Sequence, residues 1–442
     1  MRLFGSRALW SISIPLLFAE ISEIVLHVTD TLFLSRVGIT ELGAVGLADS
    51  AVELALVLSL GLIDGIQILT ARQIGRGRPG LAVRTFNLGL GLTVGLSAVL
   101  AALLWVNAGT LSGWLVESET VGRAVEEFLR IACFGIPFTV ACFAYSALLV
   151  GFGRTGILVP ATLLLTATNA LLDYIFIFGK LGFEPMGIRG AALGSVLAEI
   201  ATCAFLTIYL WRRPEARRYG LFRITHWPPK LVARLVKLSG PISAQGVVEA
   251  LRWFIFFLVL ERVGAVTLAI GSVVYVCYSV LRIPTEAFGE TTCSMVARLI
   301  GRNRTDRIDT VVHQAIWAAG VVTLPLIIAA IVAPGWVLSA FSLESDLLAA
   351  GSASLRVVAA AMLIVIPAEM WLTALLGTGD TLAALGIEVA LTVVMIAASC
   401  VAAFALSGSV ALIWSSLALG WLVTLVASWA WMRSGAWKRL AL

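Results

Sequence analysis

Twelve segments of this chain are each apolar over at least the ~20 residues that a helix needs to cross a bilayer, and only polar loops separate them. Hydrocarbon offers no water to backbone amides, so continuous apolar runs of this length must satisfy their hydrogen bonds as helices. The first half contributes residues 8–34, 43–71, 83–106, 121–150, 157–179 and 187–211. The second contributes 232–261, 265–300, 309–333, 347–376, 382–406 and 409–432. Several exceed the crossing length, which predicts tilt, kinks or extension into water. Across 442 residues, 60% are hydrophobic, 13% are charged and the mean hydropathy is +0.99. A soluble surface of this size needs far more charge, so the expected fold class is an all-α polytopic membrane protein.

The net charge of +5 does not point to nucleic acid, because the basic residues fall in short loops between apolar runs. Arg72, Arg76, Arg78 and Arg84 flank one loop, Arg154 marks another, Arg212 to Lys230 fill the longest, and Arg298, Arg302, Arg304 and Arg307 mark a fourth. All lie on one face, which the positive-inside rule makes cytoplasmic. The opposite loops carry Glu117, Glu119, Glu184, Glu344 and Asp346. An even span count then puts both termini, with Arg2 and Arg7 at one end and Arg433, Lys438 and Arg439 at the other, on the cytoplasmic side. Six cysteines lie singly within apolar segments and read as small buried hydrophobes rather than metal or redox sites. A cleaved signal peptide is not expected, since the first apolar segment holds four ionisable residues. Metalloprotease, nucleophile-elbow and phosphate-loop motifs are absent, so neither an enzyme nor a cofactor is expected, nor is ATP-driven export within this chain.

Self-comparison reveals a repeat at an offset of 226 residues. Ser13 and Pro15 map onto Ser239 and Pro241, Glu23 onto Glu249, Asp64 onto Glu290, and Gly151, Gly153 and Thr155 onto Gly377, Gly379 and Thr381. The match extends to the loop after the second span, where Ala71, Arg72, Gly75, Arg76 and Arg78 fall on Ala297, Arg298, Gly301, Arg302 and Arg304. These are prolines, glycines, arginines and acids rather than the aliphatic residues that membrane segments share by chance. The expected organisation is an N-terminal six-helix lobe over 1–211, a cytoplasmic linker over 212–230 with Pro214, Trp227, Pro228 and Pro229, and a C-terminal six-helix lobe over 231–442. Parallel repeats with a site at their interface are a plan of secondary transporters, whereas a channel would need a continuous polar lining.

Ionisable residues inside the spans are the candidates for function, because a charge at the bilayer centre costs about 2.5 to 3.5 kcal/mol on insertion scales. Glu20, Glu23, His27 and Asp30 recur along one face of the first helix, which also carries Pro15 as a place to bend. Asn169 and Asp173, four residues apart, share a face of the fifth span. With Asp30 they make a hard-oxygen set suited to Na⁺ or to a proton, the alternative being a polar pin between helices. At the repeat offset the three fall on Met395, Ser399 and Phe256, so this set belongs to one lobe alone. Glu23 and Glu249 occupy matching positions and are read, with His27, as residues of a shared substrate cavity. Asp64 and Glu290 form a second matching pair, and Glu369 follows Pro367.

Over nearly its whole length the chain resembles the multidrug and toxic compound extrusion (MATE) transporters. The likeness is sharpest in residues 28–34 (Val-Thr-Asp-Thr-Leu-Phe-Leu), residues 187–193 (Gly-Ile-Arg-Gly-Ala-Ala-Leu), the spacing from Pro241 to Glu249, and residues 377–381 (Gly-Thr-Gly-Asp-Thr). That resemblance implies twelve transmembrane helices in two pseudo-symmetric six-helix lobes forming a V, and export of cationic or amphipathic organic compounds by antiport with H⁺, or alternatively Na⁺. Asp30, Asn169, Asp173 and Pro15 match the DinF-like branch, and Ser195 stands where that branch carries a threonine hydroxyl on its sixth helix. In the NorM-like branch a Glu on helix 7 pairs with an Asp on helix 10; Glu249 fits the first, but Val365 stands at the second, with Glu369 one turn later. The DinF-like assignment is therefore preferred. The resemblance implies a monomer in the bilayer with a small organic molecule as partner. A flippase of lipid-linked saccharides is the further alternative, and it would favour a strongly cationic cavity where the candidates here are mainly acidic.

Overall fold

The computed structural model describes residues 6–116, 118–223, 228–339, 345–406 and 408–439. Arg2, Glu117, Trp227 and Glu344, read from sequence as topology and linker residues, lie outside them. The described residues form fifteen α-helices: α1 Ser6–Leu34, α2 Ile39–Gly75, α3 Pro79–Leu115, α4 Glu119–Ala132, α5 Ile136–Phe152, α6 Leu158–Phe178, α7 Ile188–Trp211, α8 Pro214–Tyr219, α9 Pro229–Val263, α10 Ala265–Gly301, α11 Ile308–Val332, α12 Pro334–Ser339, α13 Ser345–Thr378, α14 Thr381–Cys400 and α15 Val410–Ser434. Among the described residues, eleven helices are long and apolar enough to cross a membrane, and α4 with α5 makes twelve spans when that bent pair counts as one.

The segment 121–150 is thus not one straight helix, because α4 and α5 meet at 51°. The local chemistry explains the break. Pro137 in the first turn of α5 has no N–H to extend the ladder, and the Glu199 carboxyl lies against Gly135 where a side chain would otherwise sit. Charged residues give α4 an i,i+4 pair, Arg130 to Glu126 at 2.7 Å, which suits a face turned to water.

The repeat is visible in the backbone. Helices α2 and α10 are both 37 residues long and begin 226 residues apart. Gly153 and Gly379, ending α5 and α13, both adopt positive φ, of 69° and 86°. Gly77 (φ 71°) corresponds to Asn303 (φ 62°), an allowed exchange because asparagine tolerates the left-handed region.

The chain divides into two compact units, Ile14–Ser243 and Met1–Ser13 with Ala244–Leu442. Their boundaries fall inside α1 and α9 rather than at residues 212–230. The start of α1 belongs with the second half: Leu9 joins its apolar core and Ser13 Oγ donates to Thr291 Oγ1 at 2.8 Å. The start of α9 belongs with the first half, where a Cβ at Gly65 would lie 2.0 Å from Ser239 Oγ and one at Gly61 would lie 2.4 Å from the Ser243 amide nitrogen. Ser13 and Ser239 are repeat partners, so the two helices exchange their first turns in the same way. In the larger core, Phe256, Tyr278, Phe288 and Trp414 interlock; in the other, Leu34, Val125, Leu129 and Ala192 do.

Candidate functional site

The site in unit Ile14–Ser243 begins with a close approach of α6 and α7. At Gly190 a Cβ would fall 2.7 Å from the Phe176 carbonyl carbon, and at Gly194 it would fall 2.1 Å from Asp173 Oδ1. Two glycines one turn apart therefore let α7 lie against α6 and leave the Asp173 carboxyl the space a side chain would fill. Asn169 and Asp173 are both fully buried on that face, and Asn169 Nδ2 donates to Ser195 Oγ at 3.1 Å. That bond uses one of the amide's two N–H donors, and its oxygen is unengaged.

Helix α1 brings the third member. Thr166 Oγ1 of α6 donates to the Ser22 carbonyl at 3.4 Å, and two turns further along α1 the half-buried Asp30 carboxyl comes within hydrogen-bonding reach of Asp173. Asp30 Oδ1, both Asp173 carboxyl oxygens and Asn169 Oδ1 are buried without a protein donor. Two carboxylates in contact repel, and only a proton shared between them or a cation among the oxygens removes the conflict. The set contains no cationic side chain to do so. Asp30, Asn169, Asp173 and Ser195 thus converge; among the described residues no group of three or more His, Cys, Asp or Glu has metal-holding geometry.

Glu23 and His27 are exposed on the same helix, and Pro15 lies inside α1 without interrupting it. Asp49 of α2, which the sequence reading did not single out, lies within electrostatic range of His27, Asp30 and Glu53. Its signal was present as a second acid in a membrane-length apolar run. Asp64 is exposed on α2 and its repeat partner Glu290 is half-buried on α10.

Glu249 belongs to the other unit and has partners that sequence reasoning missed. Its Oε1 accepts from Arg252 Nη2 at 3.2 Å and from Arg282 Nη1 at 3.1 Å. Arg252 also pairs with Glu388, and the two side chains are only 2% and 8% exposed. Arg282 Nη2 reaches Glu286 at 2.9 Å, while its guanidinium lies 5.7 Å from the ring centres of both Tyr278 and Trp421. Val365 is fully buried, and Glu369 on the same helix lies within electrostatic range of Arg282 and Glu249. At the repeat offset, Arg252, Arg282, Glu286 and Glu388 fall on Leu26, Leu56, Leu60 and Thr162, so this cluster too exists in one half only. Arginines with a glutamate three or four residues away, deep in apolar runs, were the available signal.

Repeated helical halves with unlike intramembrane charge sites define the class: a polytopic membrane protein built on the plan of secondary transporters. A family model described as MatE matches residues 15–175 and again 241–420, two stretches that begin at the same offset as the internal repeat. The chain belongs to the MatE family, whose members are transporters rather than enzymes. It is 26% identical over 260 residues to a probable multidrug resistance protein NorM of Agrobacterium fabrum, covering 58% of this chain and 56% of that relative. Against the probable multidrug resistance protein YoeA of Bacillus subtilis it is 25% identical over 338 residues, 76% of this chain and 73% of the relative. A solved MATE structure in the straight conformation superposes with a TM-score of 0.90 at 20% identity, covering 99% of this chain and 98% of that one, and shows that the fold is shared.

Proposed function

We propose that this chain is a cation-coupled antiporter that exports small cationic or amphipathic organic compounds across the bacterial inner membrane, with H⁺ as the coupling ion. The single observation that supports the reading is the contact between the Asp30 and Asp173 carboxyls, buried without any protein donor. Each cycle needs a site whose charge changes as the ion arrives and leaves, and a carboxyl pair changes charge by one when it takes a proton. Protonation from outside closes the pair and bends α1 at Pro15, and the substrate leaves; loss of the proton to the cytoplasm separates the carboxyls and restores the cation-attracting form. The ion and the substrate must each bind the two conformations unequally for exchange to be driven.

Na⁺ is the second reading, favoured by one observation: the unengaged Asn169 oxygen joins the carboxylate oxygens in a hard-donor set, with Ser195 Oγ adjacent. The preference for the DinF-like branch rests on the same four residues, whereas Glu249 is engaged by two arginines. The organisation proposed is a monomer of two six-helix lobes with both termini cytoplasmic. The experiment is transport in proteoliposomes with proton and sodium gradients imposed one at a time. Wild-type protein is expected to export an organic cation on the proton gradient alone and Asp30→Asn to lose that coupling. Asp30→Asn exporting at the wild-type rate and still responding to pH would refute the assignment, and a response to sodium alone would replace H⁺ with Na⁺.

A further inference from the structure

Away from these clusters, the start of α1 and the start of α11 border an open cavity of about 470 Å³. Ser6 and Trp10 line it from α1; Asp309, His313, Gln314 and Trp317 line it from α11. Arg302, Arg304 and Arg307 immediately precede α11, which puts the cavity at the polar boundary of the membrane. Trp10 is held edge-on against Phe288, with ring centres 5.2 Å apart, while Trp317 is 64% exposed.

Among the polar groups of the cavity, the Ser6 and Thr310 hydroxyls and the two indole N–H groups can donate, and three other side chains offer acceptors. Gln314 Oε1 is buried without a hydrogen-bond partner. His313 Nδ1 donates to the Asp309 carbonyl at 2.7 Å, because a carbonyl can only accept, so the neutral ring keeps Nε2 as an acceptor. The Asp309 carboxylate adds a negative charge, and two indole faces suit a cation. An ammonium group that also has N–H donors fits this set, whereas a quaternary ammonium leaves the Gln314 oxygen unsatisfied. At the mouth, Arg433 Nη2 stands 4.0 Å from Asp309 Oδ2, and both side chains are more than half exposed. A positive and a negative group side by side match a headgroup with a phosphate next to an amine. Below the mouth, Trp317, Val321, Leu324 and Ile328 are exposed at steps of four, three and four residues along α11, an apolar track running from the polar boundary into the membrane.

We propose that this cavity binds an aminophospholipid of the adjacent leaflet. Its primary ammonium contacts Asp309, Gln314 and the indoles, its phosphate meets Arg433, and an acyl chain lies along the α11 track. Because Ser6 and Trp10 form part of the wall, the bound lipid clamps the first turns of α1 to α11.

The test uses the purified full-length protein and native mass spectrometry with phosphatidylethanolamine, phosphatidylcholine and phosphatidylglycerol of identical chains. Phosphatidylethanolamine is expected to bind about tenfold more tightly than either other lipid, and Asp309→Asn and Gln314→Leu should each lose about that factor. Trp114→Ala, at an exposed indole far along the sequence, should change nothing. Unchanged thermal midpoints of the lipid-free variants exclude misfolding as the cause. Equal binding of the three lipids, or wild-type affinity in both cavity variants, overturns the proposal. Competition by soluble glycerophosphoethanolamine at equal concentration also overturns it, since that result assigns the cavity to a free amine.

Discussion

Removal of Arg252 tests whether the cluster in the second half is held as a buried ion pair. Arg252 and Glu388 are 2% and 8% exposed, so neither charge is screened by water. In Arg252→Met, Glu388 keeps its burial and loses its direct counter-charge; breaking such a pair from one side costs about 3–5 kcal/mol. Glu249 is not stranded by the same change, because Arg282 still donates to it at 3.1 Å. The penalty therefore falls on one carboxylate. Replacing both partners, as in R252M/E388M, removes the stranded charge and fills the space with flexible apolar side chains, and such swaps are commonly neutral or stabilising. The double variant is thus expected within about 1 kcal/mol of the parent, although Arg252→Met alone loses about 3 kcal/mol or more; Glu388→Met loses less, because Arg252 keeps Glu249 at 3.2 Å. Reversible unfolding in mixed micelles, followed by circular dichroism across all four proteins, gives the cycle. A loss below about 1 kcal/mol in R252M, or a double variant that costs the sum of the singles, would refute the argument.

Gly194→Ala puts a methyl group where Asp173 Oδ1 now lies, 2.1 Å from the ideal Cβ position, and is expected to abolish gradient-driven export while the helical content stays intact. Gly95→Ala, with nothing within 4 Å of its Cβ, is the matched control. Gly61→Ala drives a Cβ to 2.4 Å from the Ser243 amide nitrogen and should destabilise the protein by about 1–3 kcal/mol through overpacking, read as a lower thermal midpoint. Gly43→Ala meets nothing within 4 Å in the same helix and should instead raise the midpoint slightly, by up to about 1 kcal/mol of helix propensity. Equal midpoints for Gly61→Ala and Gly43→Ala would contradict the packing of α9 on α2.

The residues that define spans lie next to one another in the chain, so the spans were legible. Expected segments such as 265–300 and 309–333 become α10 Ala265–Gly301 and α11 Ile308–Val332, because a membrane helix is set by a continuous apolar run and the polar residues that end it. The repeat was legible too, because comparing the chain with itself at an offset of 226 residues needs no tertiary contact. So was the shared face of Asn169 and Asp173, which needs only a spacing of four. The packing at the bend was not, since the carboxyl against Gly135 comes from Glu199 on another helix. Nor was the fate of Arg252 and Arg282: a mid-span arginine announces a partner, but Glu388 is 136 residues from Arg252. The exchanged first turns of α1 and α9 were equally hidden, because Ser13 meets Thr291 across 278 residues. Short-range periodicity and self-comparison of the sequence determined that this chain is a repeated bundle of membrane helices with acids inside it. Tertiary packing decided which acid faces another acid and which faces an arginine, because burial and pairing arise only when distant helices come together.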